Sequence, residues 1–333
     1  MASEALTSEA LTSKANDAYV SDNEDVVPIP FYRKRTAKGT TAKAPEKMNV
    51  PKVTNVPKVT KAPKAPKANA LKAVAPEPVE VITLTLGDCA ENGVGMQKIT
   101  RSVEAKQGFT REDFVRLETS LIAKGAVCET ITLSSGDLPY ASVFVIRGGL
   151  DAIMEEKDGA RTMFDEQKAL EWDRKKMMYG RVVNSMARFN LCYSDEAQEP
   201  DYENGKGRIV PFHDVPHLQA FMQSYEALLG PKGENLSVEG NYYYDIGKCG
   251  IGWHGDAERK LCTGIRLGTP GVNTPILYQW YKDGSPMGNV FEIPLYPGDI
   301  YLMSEKAVGQ DWKKKKVPTL RHATGASKYT DKK

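Results

Sequence analysis

The chain has 333 residues, enough for one large domain or two ordinary ones. Lys and Arg total 45 against 43 Asp and Glu, which excludes a uniformly basic nucleic-acid coat and a uniformly acidic solvating chain. No run approaches the ~18 apolar residues of a membrane-spanning helix, and the polar, acidic start MASEALTSEALTSKAND lacks the apolar stretch of a secretory signal.

Residues 1–78 read as a disordered tail rich in Lys, Pro and Ala. SEALT is repeated in tandem over 3–12 and NVPKVT over 49–60, followed by KAPKAPKA over 61–68. Between Phe31 and Ala75 there are twelve Lys or Arg and one acid, Glu46. Recurrent Pro withholds backbone donors, and the few large apolar residues cannot offset the entropy of ordering. Such a segment is either a solvated linker or an arm that holds polyanions by counterion release. Tyr32-Arg33-Lys34-Arg35 fits a nuclear-import signal.

The body, 79–330, reads as one domain, with 80–170 an N-terminal α/β extension and 171–330 a catalytic core. It opens on the β-rich run VEVITLTL. A helix follows over 108–125, with Phe114, Leu117, Leu121 and Ile122 as its apolar stripe and Gly125 as its stop. SVFVIRGG (142–149) has the pattern of a buried strand. A helix is expected around Phe164–Met178, then a loop-rich stretch over 180–207. VPHLQAFMQSYEALLG (215–230) is an amphipathic helix. Seven short strands then succeed one another, at 240–247, 250–256, 260–268, 275–284, 290–295, 298–304 and 319–324, separated by Gly, Pro and Asp turns. This pattern predicts an α+β protein, a sandwich or jelly-roll-like barrel preceded by helices. Nothing in it specifies an oligomeric state.

Cys89, Cys128, Cys192, Cys249 and Cys262 are odd in number, widely spaced and form no C-x-x-C pair. That argues against a disulfide framework or a structural zinc site, and for an intracellular protein of nucleus or cytoplasm rather than a secreted one. Only four histidines are present, at 213, 217, 254 and 322. His254-Gly255-Asp256 closes a predicted strand, where residues i and i+2 share a face. His322, in a later strand, is the only histidine downstream to complete the set. Two His and one Asp would form the facial triad of non-haem Fe(II) sites. His213 and His217 are separated by Pro216 and read as structural. Trp253, Trp280 and Trp312 read as packing residues.

The block Tyr244-Asp-Ile-Gly-Lys-Cys-Gly-Ile-Gly-Trp-His254-Gly-Asp256-Ala-Glu258-Arg259-Lys260, with Leu267-Gly268 and Gly298-Asp299 after it, resembles the AlkB-like branch of the Fe(II)/2-oxoglutarate-dependent dioxygenases. The resemblance covers about residues 170–330 and is densest over 240–268. It implies a double-stranded β-helix with buttressing helices, binding Fe(II), 2-oxoglutarate and O2. It implies oxidative demethylation or hydroxylation of nucleobases in DNA or RNA, with the base flipped from its stack. His254, Asp256 and His322 would hold the iron. Tyr244 and Asn241 fall near the family's co-substrate positions. Tyr242, Glu258, Arg259 and, in a stretch placed like a nucleotide-recognition lid, Arg188 fall on the substrate side. Two features depart from the pattern: Asn241 is one residue out of place, and no Arg follows His322. Lys328, six residues on, is the expected substitute as the carboxylate anchor, with Arg266 and Arg321 as alternatives. The lysines of Asp311–Lys316 form an insertion, either a solvated loop or part of a phosphate-contacting rim. Two other readings stay open: the same oxygenase chemistry on a protein or small molecule, and a metal-free nucleic-acid-binding protein.

Overall fold

The structure, a computed structural model, describes residues 77–102 and 106–331. They fall in the unit Lys72–Lys333. The tail expected over 1–78 lies, but for its last two residues, outside the described residues, as does the import signal expected at Tyr32–Arg35.

The first half runs β1 (Val81–Gly87), β2 (Ala90–Glu91), β3 (Lys98–Ile99), α1 (Arg111–Ala123), β4 (Val127–Thr132), β5 (Ser142–Arg147), α2 (Gly149–Met154) and α3 (Gly159–Lys168). Then come β6 (Lys175–Met178), β7 (Arg181–Asn184), β8 (Phe189–Ser194), β9 (Ile209–Pro211) and α4 (Pro216–Leu229). The second half is β10 (Ser237–Tyr243), β11 (Gly250–His254), β12 (Cys262–Gly268), β13 (Ile276–Lys282), β14 (Ser285–Ile293), β15 (Ile300–Met303), α5 (Glu305–Val308), β16 (Thr319–Gly325) and α6 (Ser327–Thr330).

The protein is a mixed α+β structure whose strands are mostly antiparallel. An eight-stranded sheet has the order β4-β5-β15-β12-β1-β10-β8-β9, and a four-stranded sheet the order β11-β16-β13-β14. Alternation along the strands of the larger sheet gives it two chemically different faces. Ile82, Leu84 and Leu86 of β1 join Ile265 and Leu267 of β12 and Ile300 and Leu302 of β15 in one core, against α1, α3 and α4. The intervening positions turn the other way. At one end they include Val143, Val145, Tyr301 and Met303, which pack with Ile276, Tyr278, Trp280 and Leu320 of the smaller sheet.

Local sequence accounts for the buttress. Thr110 caps α1 in a reciprocal capping box with Asp113. Leu218, Phe221, Tyr225 and Leu229 of α4 are spaced three and four apart and are buried. Ile122, expected in the stripe of α1, is exposed, and Phe114, Leu117 and Leu121 carry the face without it.

One expected element is wrong in kind. The helix predicted over Phe164–Met178 ends at Lys168, and Lys175–Met178 is strand β6. Trp172 turns inward, its Nε1 donating to the Gln167 carbonyl at 2.9 Å, and Asp173 exchanges backbone hydrogen bonds with Asn190. The chain then reverses at Tyr179-Gly180, both at positive φ, into β7. That is a two-residue hairpin within a stretch expected to be partly loop. The same stretch contains β8, which pairs with β10. No helix among the described residues is long and apolar enough to cross a membrane.

Candidate metal centre

The two histidines meet across a strand pair. His254, the last residue of β11, lies opposite His322 of β16, after a register irregularity between Ile251 and His254. An extra residue in one strand re-aims the side chain that follows it. The His254 and His322 rings sit 4.4 Å apart at 63°. Asp256 comes two residues beyond the strand, in a loop held by its own N–H donating to the Val308 carbonyl at 3.0 Å. The strand does not run on to Asp256 as expected, so the loop, not the pleat, brings the carboxylate in. Gly255 is required between them, because a Cβ there would lie 2.2 Å from the Gly309 carbonyl oxygen.

Asp256 Oδ1 lies 3.5 Å from His254 Nε2 and 3.5 Å from His322 Nε2. One ligand atom from each residue fits within 4.8 Å of the others. Ligands about 2.1 Å from one ion sit roughly 3–3.5 Å apart, so the three donors fit a first-row metal. His254 Nδ1 is 2.8 Å from the Gly252 carbonyl and 3.1 Å from the His322 carbonyl. Both partners are acceptors, so Nδ1 carries the proton and Nε2 offers its lone pair. Burial, then the neighbouring His322, pushes the His254 pKa down to about 3 against the pull of Asp256, keeping the imidazole neutral.

Burial works against the Asp256 anion, but Arg259, His322 and His254 outweigh it and hold the carboxyl well below its usual range. Arg259 is only 2% exposed. It stands 3.5 Å behind Asp256 Oδ2 and donates at 2.7 Å to both Glu239 and Glu258. Glu239 also accepts from the Glu91 backbone and from Asn241, and Asn241 accepts from Arg188 and Asn190. A continuous polar chain therefore runs from Arg188 to the triad.

The triad lines a cavity of about 390 Å³ between the two sheets. Its wall includes Thr83 of β1, Glu239, Asn241 and Tyr243 of β10, Cys262 and Arg266 of β12, and Tyr301 of β15. These are the polar positions of the strands whose alternate residues face the helices. Arg266 is 1% exposed and donates to the Thr83 hydroxyl at 2.6 Å. Its Nε and Nη2 are buried without a partner, and no carboxylate pairs with it among the described residues. Gly264 leaves room for the Tyr301 ring, which a Cβ there would meet at 2.1 Å. Exposed lining residues, among them Val94, Lys98, Ala257 and Lys313, mark the mouth.

Of the residues singled out in the sequence, the cavity brings together His254, Asp256, His322, Arg266, Asn241, Arg188 and Glu258. It does not bring in the expected anchor. Lys328 lies exposed on α6, because β16 ends at Gly325, where φ is +98°, and the extended chain that would have carried Lys328 to the face of His322 stops. The guanidinium of Arg321 rests over the rings of Tyr281 and Trp312. Tyr242 belongs to the helix-side core against Trp172, and Tyr244 stacks on Phe189 with its hydroxyl on the Met186 carbonyl. Tyr243, on the opposite pleat, is the tyrosine of the cavity. Arg259 stands behind Asp256 and does not line the cavity.

Trp253 and Trp280 pack, their indole N–H groups on the carbonyls of Thr330 and Leu133. Trp312, also expected only to pack, lines the cavity with its Nε1 buried and unpartnered. Cys262, with its thiol 3.9 Å from Asp256 Oδ2, and Glu239 escaped the sequence reading. Their signal, alternation within strands, becomes legible only once the cavity face is known. All five cysteines are free.

No family model matches the chain. A protein of Acanthamoeba polyphaga mimivirus, described as uncharacterized protein R156, is 43% identical over 259 residues, covering 75% of this chain and 97% of that one. The chain belongs to the family of that viral protein. The match takes in almost the whole viral protein and leaves a quarter of this chain outside it.

Proposed function

We propose that this chain is an Fe(II)- and 2-oxoglutarate-dependent oxygenase of AlkB-like type that demethylates or hydroxylates nucleobases. The observation that carries the reading is the meeting, in one cavity, of a His-Asp-His triad and a buried arginine without a counter-ion. Iron with 2-oxoglutarate and O2 would supply the oxidation of a C–H bond.

The chain's own residues have distinct parts in this reading. His254, Asp256 and His322 would hold the ion at the cavity wall, as a three-residue set that leaves positions for other ligands. The carbonyls of Gly252 and His322 fix the His254 ring, and Arg259 keeps Asp256 an anion. Arg266 takes the far carboxylate of the co-substrate, whose charge offsets an otherwise unpaired buried guanidinium. Thr83 orients that guanidinium from the neighbouring strand.

Strand order supports a double-stranded β-helix as the finer description of the fold. From β10 to β16 the chain passes back and forth between the two sheets: β10, β12 and β15 in the larger, β11, β13, β14 and β16 in the smaller. One further strand would complete the winding between β10 and β12. β1, from the start of the body, occupies that slot and pairs antiparallel with both. In this reading the eighth strand is supplied ahead of the other seven, so that among the described residues no strand follows His322 to carry an anchor.

Anaerobic titration of the metal-free protein with Fe(II) and then 2-oxoglutarate tests the reading. A weak visible charge-transfer band at one equivalent of each is the expected result. Iron that binds without developing the band on addition of 2-oxoglutarate would overturn the co-substrate.

A further inference from the structure

We propose that two cationic banks at the mouth of the cavity, Lys313–Lys316 on one side and Lys98, Lys176 and Arg188 on the other, form a cradle for the phosphates of single-stranded nucleic acid. The nucleobase reading above is its premise for what enters the cavity; the cradle itself needs no iron.

Charge segregation is the first support. Residues 77–333 hold 32 Lys and Arg against 36 Asp and Glu, so the body is net acidic. Yet four consecutive exposed lysines begin at Lys313 in the cavity wall. Lys98 and Arg188 line the same cavity from the side of the larger sheet, and Lys176 comes close to Gly93 of the mouth loop. None of these cations makes an ion pair among the described residues. Burial and then the nearby Arg188 lower the Lys176 pKa, while Glu91 faces Lys98 across the β2–β3 pair.

The lysine loop is also held in place. Lys306 closes its two ends, donating to Asp311 Oδ2 at 2.7 Å and to the Pro318 carbonyl at 2.8 Å. The Lys315 carbonyl accepts from the Asp283 N–H at 2.9 Å. The four ammonium groups are therefore presented from an anchored loop.

Exposed apolar groups decide between polyanions. Lys176 belongs to the β6–β7 hairpin, whose tip Tyr179 is 93% exposed, and Val94 on the mouth loop is 84% exposed. Cations beside an exposed aromatic ring suit a strand of stacked bases, which an acidic peptide does not offer. The triad lies inside the cavity, so a base must leave its stack to reach it. That costs least in a single strand.

The test measures binding of a labelled 12-nucleotide single strand and its duplex to the metal-free full chain across a range of salt. A variant carrying Lys313→Ala, Lys314→Ala, Lys315→Ala and Lys316→Ala should bind the single strand at least ~10-fold more weakly at low salt. Its log K against log salt should flatten by roughly 2–3, about 0.7 for each phosphate that is no longer neutralised. Tyr179→Ala should weaken the single strand several-fold and leave the slope alone. Circular dichroism and iron stoichiometry check that both variants keep the fold and the triad. Equal slopes and affinities in the lysine variant and the parent would sink the cradle, as would an acidic peptide of equal charge competing as well as the oligonucleotide. A parent that binds no nucleic acid overturns cradle and nucleobase substrate together. Cradle-dependent binding with no oxidation of any methylated strand leaves the cradle standing and removes only the substrate reading.

Discussion

The two faces of the eight-stranded sheet are built from the same strands and do opposite work. On β1, Ile82, Leu84 and Leu86 go into a core sealed by helices, while Thr83 and Thr85 look into the cavity. On β12, Ile265 and Leu267 pack while Cys262 and Arg266 line the cavity. One face removes apolar area from water and stabilises the fold. The other holds an arginine without a carboxylate and looks across the cavity at the His-Asp-His cluster, whose histidines belong to the smaller sheet. Burying polar groups without full pairing costs stability, and the proposed co-substrate would offset that cost.

The largest expected effect breaks the site without breaking the sheet. His254→Ala or Asp256→Ala should abolish stoichiometric Fe(II) binding in equilibrium dialysis while leaving the urea midpoint nearly unchanged. The helix face should answer the opposite way. Leu84→Ala leaves a cavity in the core, costing ~2–5 kcal/mol by urea melting, with iron stoichiometry intact. A Leu84→Ala protein that folds as well as the parent yet fails to take iron would mean the two faces are not independent.

Arg266 sharpens the comparison because its two readouts move apart. Replacing a buried unpaired charge with a well-fitting apolar side chain is often neutral or stabilising by about 1–4 kcal/mol. Arg266→Met should therefore keep or raise the melting temperature of the ligand-free protein. It should also remove the thermal shift that 2-oxoglutarate gives the parent. Lys328→Ala, exposed on α6, should change neither. Loss of the shift in Lys328→Ala with retention in Arg266→Met would move the anchor to the end of the chain.

Much of this was legible in the sequence, for identifiable reasons. The helix spacing of 216–229 and the seven closing strands follow from periodicity, and the triad follows from H-x-D and the scarcity of histidine. Less was legible where tertiary pairing overrides local pattern. Lys175–Met178 carries helix formers but is drawn into a hairpin. Arg266 was only an alternative to Lys328 in the sequence, because its buried, unpaired setting depends on β1 and β12 lying side by side, with Thr83 and Arg266 183 residues apart. Tyr242 and Tyr243 differ by one residue, so a register that cannot be read locally decides which of them faces the cavity.

The smallest effect concerns a region that neither face includes. The excess of eleven positive charges over 31–75 should make sequence-blind phosphate contacts that add to those of the cavity rim. Deleting residues 1–76 leaves every described residue in place. Binding to long nucleic acid should weaken at low salt, and its dependence on salt should flatten. Binding of a 12-nucleotide strand should change by less than the lysine-loop variant changes it, because a short strand seated at the mouth has few phosphates left for a second set of cations. Iron stoichiometry and the 2-oxoglutarate thermal shift should not move, since Arg266 and the triad lie wholly within the body. Isotherms of the full and shortened chains at several salt concentrations settle the matter. Equal slopes on long nucleic acid would make the segment a linker, whereas a lost thermal shift would show that the cavity face depends on residues ahead of β1.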